Sequence, residues 1–329
     1  MAWIRCSCLA SFALFVVASL VTGCTTRAED AATRPIPGTE EVAIEQFCIT
    51  VSPDEKWLTF VEWRLPAEAR VKEQMSSEYD ARIASLNLQT GMRTQHSIDS
   101  LSPSALGFSN DPTRWKFHAC FRLIKEVFRP PGWIGETFYF QRYGRKTYVA
   151  LDPSQPDMKI VADPDTTGTC SDCPPMTSVE FHGQSWDLLS NDVSAVVQGG
   201  RVRSIYYWGS QPNRVNAILR VREDGEEELV VDRHQLKGTM VTIAALRVSP
   251  DERYLAYVVR SKKQEFLSGP REELFIRDLQ AGNEKPIASY MAIGNLIWSA
   301  AGERLYFAGG GYSSDAAVRV VDVKEAFSE

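Results

Sequence analysis

Leu246-Arg247-Val248-Ser249-Pro250-Asp251-Glu252-Arg253-Tyr254-Leu255-Ala256-Tyr257-Val258 is the stretch whose reading decides the fold. A short apolar strand runs into Ser-Pro-Asp, and a second strand follows in which Leu255 and Tyr257 alternate with smaller neighbours. Proline's fixed φ and the backbone-seeking Asp side chain preset a tight turn. The alternation places one face of the returning strand in an apolar interface. Residues 49–61 repeat the phrase as Ile49-Thr50-Val51-Ser52-Pro53-Asp54, then Trp57-Leu58-Thr59-Phe60-Val61. A looser copy is Leu296-Ile297-Trp298-Ser299-Ala300-Ala301-Gly302, running on to Phe307-Ala308.

Each copy is followed by a further strand that closes near Asp or Asn, twice with Gly. These are Ile83 to Gly91, Glu273 to Gly282, and Val318 to Val323. Ser249 and Ser299 begin equivalent phrases fifty residues apart, the length of one four-stranded blade. A blade exposes an apolar face that only another blade can cover, so such repeats close into a ring. Weaker copies are visible at Leu106–Asp111, at Thr137–Phe140 running to Tyr148–Asp152, and at Leu188–Asp192. The last continues into Ile205–Trp208 and the hairpin around Glu223-Asp224-Gly225.

These phrases resemble the WD40-like repeats of TolB-type propellers, found also in the N-terminal propellers of prolyl-oligopeptidase-family peptidases. The resemblance covers residues 44–323, with a degenerate middle third, and the Gly-His and Trp-Asp marks of eukaryotic WD40 repeats are missing. It implies an all-β propeller of four-stranded blades over residues 43–329. Six blades are expected from the six start phrases, or five because those at 109 and 137 lie close together. Trp115–Phe128 departs from the pattern: apolar residues at 117, 120, 121, 124, 127 and 128 fit either an inserted short helix or a long aromatic strand pair. The last readable strand leaves the final blade without an outer strand. Part of residues 41–49 is expected to supply it, since an open sheet edge invites aggregation.

The N-terminus carries a different message. Arg5 precedes an uninterrupted run of small and apolar residues from Leu9 to Val21, too short to span a bilayer, and the run closes on Leu20-Val21-Thr22-Gly23-Cys24. This pentapeptide resembles the lipobox of bacterial lipoproteins, in which the cysteine thiol takes a diacylglyceryl group and becomes the mature N-terminus. The resemblance implies a signal peptide over 1–23, a lipid on Cys24, and a flexible tether over 24–42. Two or more acyl chains anchor a protein stably, at about 0.8 kcal/mol per buried CH₂. Thr25 after the cysteine, in place of Asp, favours the periplasmic face of the outer membrane.

Removing residues 1–23 leaves 306 residues and a formal charge of 35 − 42 = −7, a balance unsuited to nucleic acid. Beyond Cys6, Cys8 and Cys24 the chain keeps Cys48, Cys120, Cys170 and Cys173, an even number suited to an oxidising compartment. Four cysteines allow three pairings. Cys48–Cys120 with Cys170–Cys173 is the expected one, because only two residues separate the second pair.

Signals for chemistry are few. Gly183-Gln184-Ser185-Trp186-Asp187 and Gly311-Tyr312-Ser313-Ser314-Asp315 each lack the last glycine of a nucleophile elbow. The repeats run almost to the last residue, so no hydrolase domain is expected after them. Cys170-Ser-Asp-Cys173 reads as a loop staple, because zinc would need two further ligands. Glu223–Glu228 reads as a solvated hairpin turn. His96, His118, His182 and His234 form no ligand series. No catalytic residue, metal or cofactor is expected. The sequence therefore points to a membrane-tethered docking platform for an envelope protein, peptide or polymer. The alternative is a propeller enzyme, lactonase- or glycosidase-like, with its site at the central channel.

Overall fold

The chain folds as a β-propeller of four-stranded antiparallel blades. The computed structural model describes residues 33–40, 42, 49–64, 80–96, 132–141, 148–161, 178–187, 192–198, 201–211, 214–232, 241–261, 271–310 and 316–328. The first blade is built from β2 (Ile49–Val51), β3 (Trp57–Arg64), β4 (Asp80–Asn87) and β5 (Arg93–His96), paired in that order. The next sheet is β6 (Gly132–Ile134), β7 (Thr137–Gln141), β8 (Tyr148–Leu151) and β9 (Met158–Val161). A two-stranded sheet, β10 (Ser178–Phe181) with β11 (Gln184–Asp187), comes before β12 (Val193–Gln198), β13 (Arg201–Gln211), β14 (Arg214–Arg222) and β15 (Glu227–Asp232). The penultimate blade is β16 (Val241–Val248), β17 (Tyr254–Ser261), β18 (Glu272–Asp278) and β19 (Glu284–Tyr290). Among the described residues there are thus six sheets, the larger of the two expected numbers, and one of them is a hairpin.

The last blade closes the ring with chain from the other terminus. Its order is β20 (Ala292–Trp298), β21 (Arg304–Gly310), β22 (Ala317–Asp322) and then β1 (Thr33–Pro35). Thr33, Arg34 and Pro35 lie opposite Val321, Val320 and Arg319. The Ile36 N–H continues the pairing to the Val318 carbonyl at 2.8 Å. Thr39, fully buried, donates its hydroxyl to the Ile36 carbonyl at 2.6 Å and accepts the Val318 N–H at 3.0 Å.

Two expectations are corrected here. The blade is closed by Thr33–Pro35 and not by residues 41–49, of which Val42 instead bridges to Glu62 of the first blade. The tether expected over 24–42 also gives way in part, because among the described residues Thr33–Pro35 already belongs to the folded body. The physical reason is that an outermost strand needs only backbone groups on one side. It can carry Pro35 and show no apolar alternation. The Trp115–Phe128 segment and all four candidate disulfide cysteines lie outside the described residues.

The three turn phrases share one geometry. In each, the serine is buried, donates its N–H to the carbonyl of the residue five positions on and accepts that residue's N–H on its Oγ: Ser52 with Trp57, Ser249 with Tyr254, and Ser299 with Arg304. The Asp54 and Asp251 carboxylates accept the Ser52 and Ser249 hydroxyls at 2.6 and 2.5 Å and the N–H two residues on. The third-to-fourth-strand turns also match, with the Asn87 and Asp278 side chains each capping two N–H groups before Gly91 and Gly282. These repeated local bonds fix where each strand begins. The alternation then carries every second side chain into a core shared with the neighbouring blade.

The core is a series of such shared interfaces. Leu58, Phe60 and Leu86 of the first blade pack with Tyr306, Ala308 and Val318 of the last. Ala256, Leu274 and Ile276 meet Leu305, Phe307 and Val321 between the last two blades. Tyr206 and Ile218 meet Leu246 and Tyr257 one step earlier. Val179 and Trp186 of the hairpin cover Ile205 and Val221. Trp57, Trp133 and Trp186 are buried, as expected of blade-core tryptophans, and Trp208 and Trp298 are partly so.

Candidate functional site

The two ends of the strands are unlike. At one end, the turn end, tight connections join first to second and third to fourth strands. These connections touch around the propeller. Gly302 lies so close to Asp251 that a Cβ there would stand 2.9 Å from its carboxylate oxygen. His182 packs over Gly225, and Lys56 pairs with Glu136 at 3.9 Å.

The fourth turn residue does most of this stitching. Glu55, Glu252 and Gly302 occupy equivalent places, all with positive φ: 54°, 57° and 70°. A glutamate there is strained by roughly 1 kcal/mol or more. Its carboxylate gives the reason, because it reaches into the adjoining blade. Glu55 accepts the Tyr306 hydroxyl at 2.8 Å and the Arg304 guanidinium at 3.1 Å. Glu252 accepts the Tyr206 hydroxyl at 3.0 Å, Arg220 at 2.5 Å and the Ser204 hydroxyl. Burial, followed by Glu55, pushes the Tyr306 phenol up to about 12, and burial with Glu252 pushes Tyr206 up as well, so both remain donors.

These are inter-blade latches. Glu252→Ala keeps the strained backbone and leaves three donors without their acceptor. It should cost about 2 kcal/mol, read as a lower urea midpoint at unchanged slope. A change under about 0.5 kcal/mol would mean that the latch holds nothing.

The opposite end, the loop end, receives the long connections. Arg64 and Asp80, His96 and Gly132, and Val161 and Ser178 are strand ends pointing this way. Residues 65–79, 97–131 and 162–177 join them. Here the nearly buried Glu272 clasps two blades: Oε1 accepts Arg260 Nε at 2.7 Å and Oε2 accepts the Ile293 N–H at 2.6 Å. Arg319 lies over the Tyr290 ring at 4.4 Å, and Met291, between β19 and β20, is 39% exposed.

The innermost strands are Ile-Thr-Val, Gly-Trp-Ile, Val-Ser-Ala-Val-Val-Gln, Val-Thr-Ile-Ala-Ala-Leu-Arg-Val and Ala-Ile-Gly-Asn-Leu-Ile-Trp. Among these described strands of the five four-stranded blades the one charged side chain is Arg247; the first strand of the hairpin, β10, carries the exposed Glu180. The Arg247 guanidinium donates to the Leu246 carbonyl at 2.7 Å and the Val193 carbonyl at 3.2 Å. Burial lowers its pKa to about 10, against the pull of Asp192, and the group stays cationic. Asn295 sits at φ 57° where the β20–β21 register shifts between Gly294 and Ile297.

One polar constellation was not legible in the sequence. His96 Nε2 lies 2.7 Å from the Ser85 hydroxyl, which lies 2.7 Å from the Thr59 hydroxyl, a chain across β3, β4 and β5. A serine beside an imidazole is the pairing of a nucleophile and its base. Ser85 and Thr59 are wholly buried, however, and His96 is 5% exposed, so no substrate reaches the pair. It stitches a blade. Burial lowers the His96 pKa to about 4, against smaller upward pulls from the Gln155 backbone and Asp152. On the opposite face of the same blade the buried Glu62 pairs with Arg93.

The other sequence candidates fall as follows. Gly183–Asp187 is the last residue of the hairpin turn and the whole of β11, with Ser185 paired to Glu180 across the ladder. The carboxylates of Glu223, Glu227 and Glu228 are engaged by Arg203, Tyr207 and Arg222, and Asp224 caps the Glu226 N–H, as a hairpin turn requires. Cys24, Cys48, Cys120, Cys170 and Cys173 lie outside the described residues, as does Gly311–Asp315. No described helix is long and apolar enough to cross a membrane.

No family model and no curated protein matches the chain. Solved structures similar to it include an oligogalacturonate lyase in complex with manganese, at 11% identity and a TM-score of 0.30, covering 85% of this chain and 66% of that one. Others are a luciferin-regenerating enzyme (9% identity, TM-score 0.33, covering 88% and 94%) and the dipeptidyl peptidase 4 of Porphyromonas gingivalis (10%, 0.30, covering 92% and 39%). The chain thus spans just under two thirds of the lyase and about two fifths of the peptidase. The fold assignment stands on strand order and register.

Proposed function

We propose that this chain is a lipid-anchored docking platform of a bacterial cell envelope, held by Cys24 and binding an envelope protein, peptide or polymer through its loop end. The observation that carries the reading is the contrast between the two ends. One is bonded blade to blade by Glu55 and Glu252, and the other is where the strands flanking the long connections 65–79, 97–131 and 162–177 end. A stiff scaffold with long connections at one end suits recognition. Among the described residues, the innermost strands of the four-stranded blades support binding more than bond cleavage, because their one charge, Arg247, is committed to two backbone carbonyls. The warrant for the envelope address is the resemblance of Leu20–Cys24 to a lipobox.

Two measurements test the reading. Cys24→Ala should move the protein from the membrane fraction to the soluble fraction or leave it unprocessed; unchanged fractionation contradicts the anchor. The purified body should not turn over esters, lactones, glycosides or peptides. Turnover abolished by a single substitution in an innermost strand would replace the platform with the channel enzyme.

A further inference from the structure

We infer that the chain enters its fold at the turn end, so that a lipid on Cys24 sets the turn end toward the membrane and the loop end away from it. The inference rests on the reading of Cys24 as the lipid-bearing residue; the entry point itself is a matter of register. β22 runs from the loop end to the turn end, since its last residue, Asp322, lies opposite Arg304, which directly follows the Ser299–Glu303 turn. β1 is antiparallel to β22, and Thr33 pairs with Val321 at that same extremity. The chain therefore arrives at the turn end and travels through Pro35, Ile36 and Thr39 toward the loop end.

A second contact fixes the same place. The C-terminal helix α1 (Val323–Ser328) begins with the Val323 N–H on the Glu303 carbonyl, in that turn. Its Phe327 packs on Tyr254, the residue after the Ser249–Arg253 turn, and the Ala326 carbonyl accepts Lys285 at the turn-end start of β19. Arg34 grips Glu325 of this helix through both carboxylate oxygens, at 2.9 and 2.7 Å. The residue next to the chain's entry is thus paired with an element at the turn end.

The leash is short. Cys24 and Thr33 are nine residues apart, which spans at most about 30 Å when fully extended. That reach is of the order of one domain diameter. The entry point therefore stays within that reach of the lipid, which biases the turn end, where the chain enters, toward the membrane. The strand ends at the loop end, His96, Gly132 and Val161 among them, then face the envelope space, where a soluble or opposing partner would be met.

Two exposed methionines mark the ends. Met92, 49% exposed, lies in the turn after Asn87 at the turn end, and Met291, 39% exposed, lies at the loop end. The full-length protein, with a genetically encoded fluorescent amino acid in place of one or the other, would be extracted from membranes and reconstituted into vesicles carrying headgroup-labelled acceptor lipid. Energy transfer should be severalfold greater from position 92 than from position 291. Equal transfer, or greater transfer from 291, in protein that floats with the vesicles overturns the orientation while leaving the anchor intact. Protein that does not float overturns the Cys24 reading, and the inference with it.

Discussion

A form of the protein beginning at residue 41 should be insoluble or aggregated, while forms beginning at residues 25 and 33 should be equally stable. The first 32 residues make no described contribution to the body, whereas Thr33–Pro35 supplies the outer edge of the last blade. Its loss strips β22 of a partner and removes the Ile36–Val318 hydrogen bond. It also removes Thr39, whose buried hydroxyl joins the Ile36 carbonyl to the Val318 N–H. Some five hydrogen bonds at about 1 kcal/mol each put the cost on the order of 5 kcal/mol, enough to unfold a domain of ordinary stability. The exposed β22 edge would also template association between chains. Thermal melts and light scattering on the three forms decide the matter. A monomeric form beginning at 41 with an unchanged melting temperature would show that β1 closes nothing.

The second large effect is a pH dependence. In the fold, burial holds the His96 imidazole near a pKa of about 4, against 6.5 in an open chain. The unfolded chain therefore binds the proton first as pH falls. The contribution of neutral His96 is fully present above pH 6.5, declines between 6.5 and 4, and is flat below 4. The gap corresponds to about 3 kcal/mol. Urea unfolding at pH 7.5 and pH 4 should show that loss in the natural protein and much less of it in His96→Gln. Equal pH dependence of the two proteins would contradict the assignment. Where the variant does not fold, imidazole titration in the natural protein replaces it, and a midpoint above 6 would be the contrary result.

How much of this was legible in the sequence varies with the kind of bond involved. The Ser-Pro-Asp turns were legible because each is a local device: the residues that make it are within five positions of one another. The blades followed, since Leu255 and Tyr257, like Leu58 and Phe60, show the two-residue period of a strand with a buried face. β1 escaped because a three-residue outer strand containing Pro35 needs no such period. The Thr59–Ser85–His96 chain escaped for a related reason: hydroxyls on neighbouring strands become partners only once register is known, and register is a long-range property. The latches lay between these cases. Glutamate follows Ser-Pro-Asp in two copies, and glycine stands there in the third. That exchange is the mark of a left-handed backbone position, so the strain could have been read, although Tyr206 and Tyr306 as its recipients could not.

The candidate surface was legible only as departures from the repeat. The departures between Arg93 and Pro131 and between Asp163 and Trp186 are visible in the sequence, but the common end of the strands that flank them could be assigned only when strand directions were known. The central claim, a platform that binds through its loop end, is tested most directly by photocrosslinking in intact cells from single positions at each end. A photoreactive amino acid at Met291 should yield discrete adducts with envelope components, and one at Met92 should yield none beyond lipid. Adducts from Met92 alone, or none from Met291 with the protein correctly located, would contradict it.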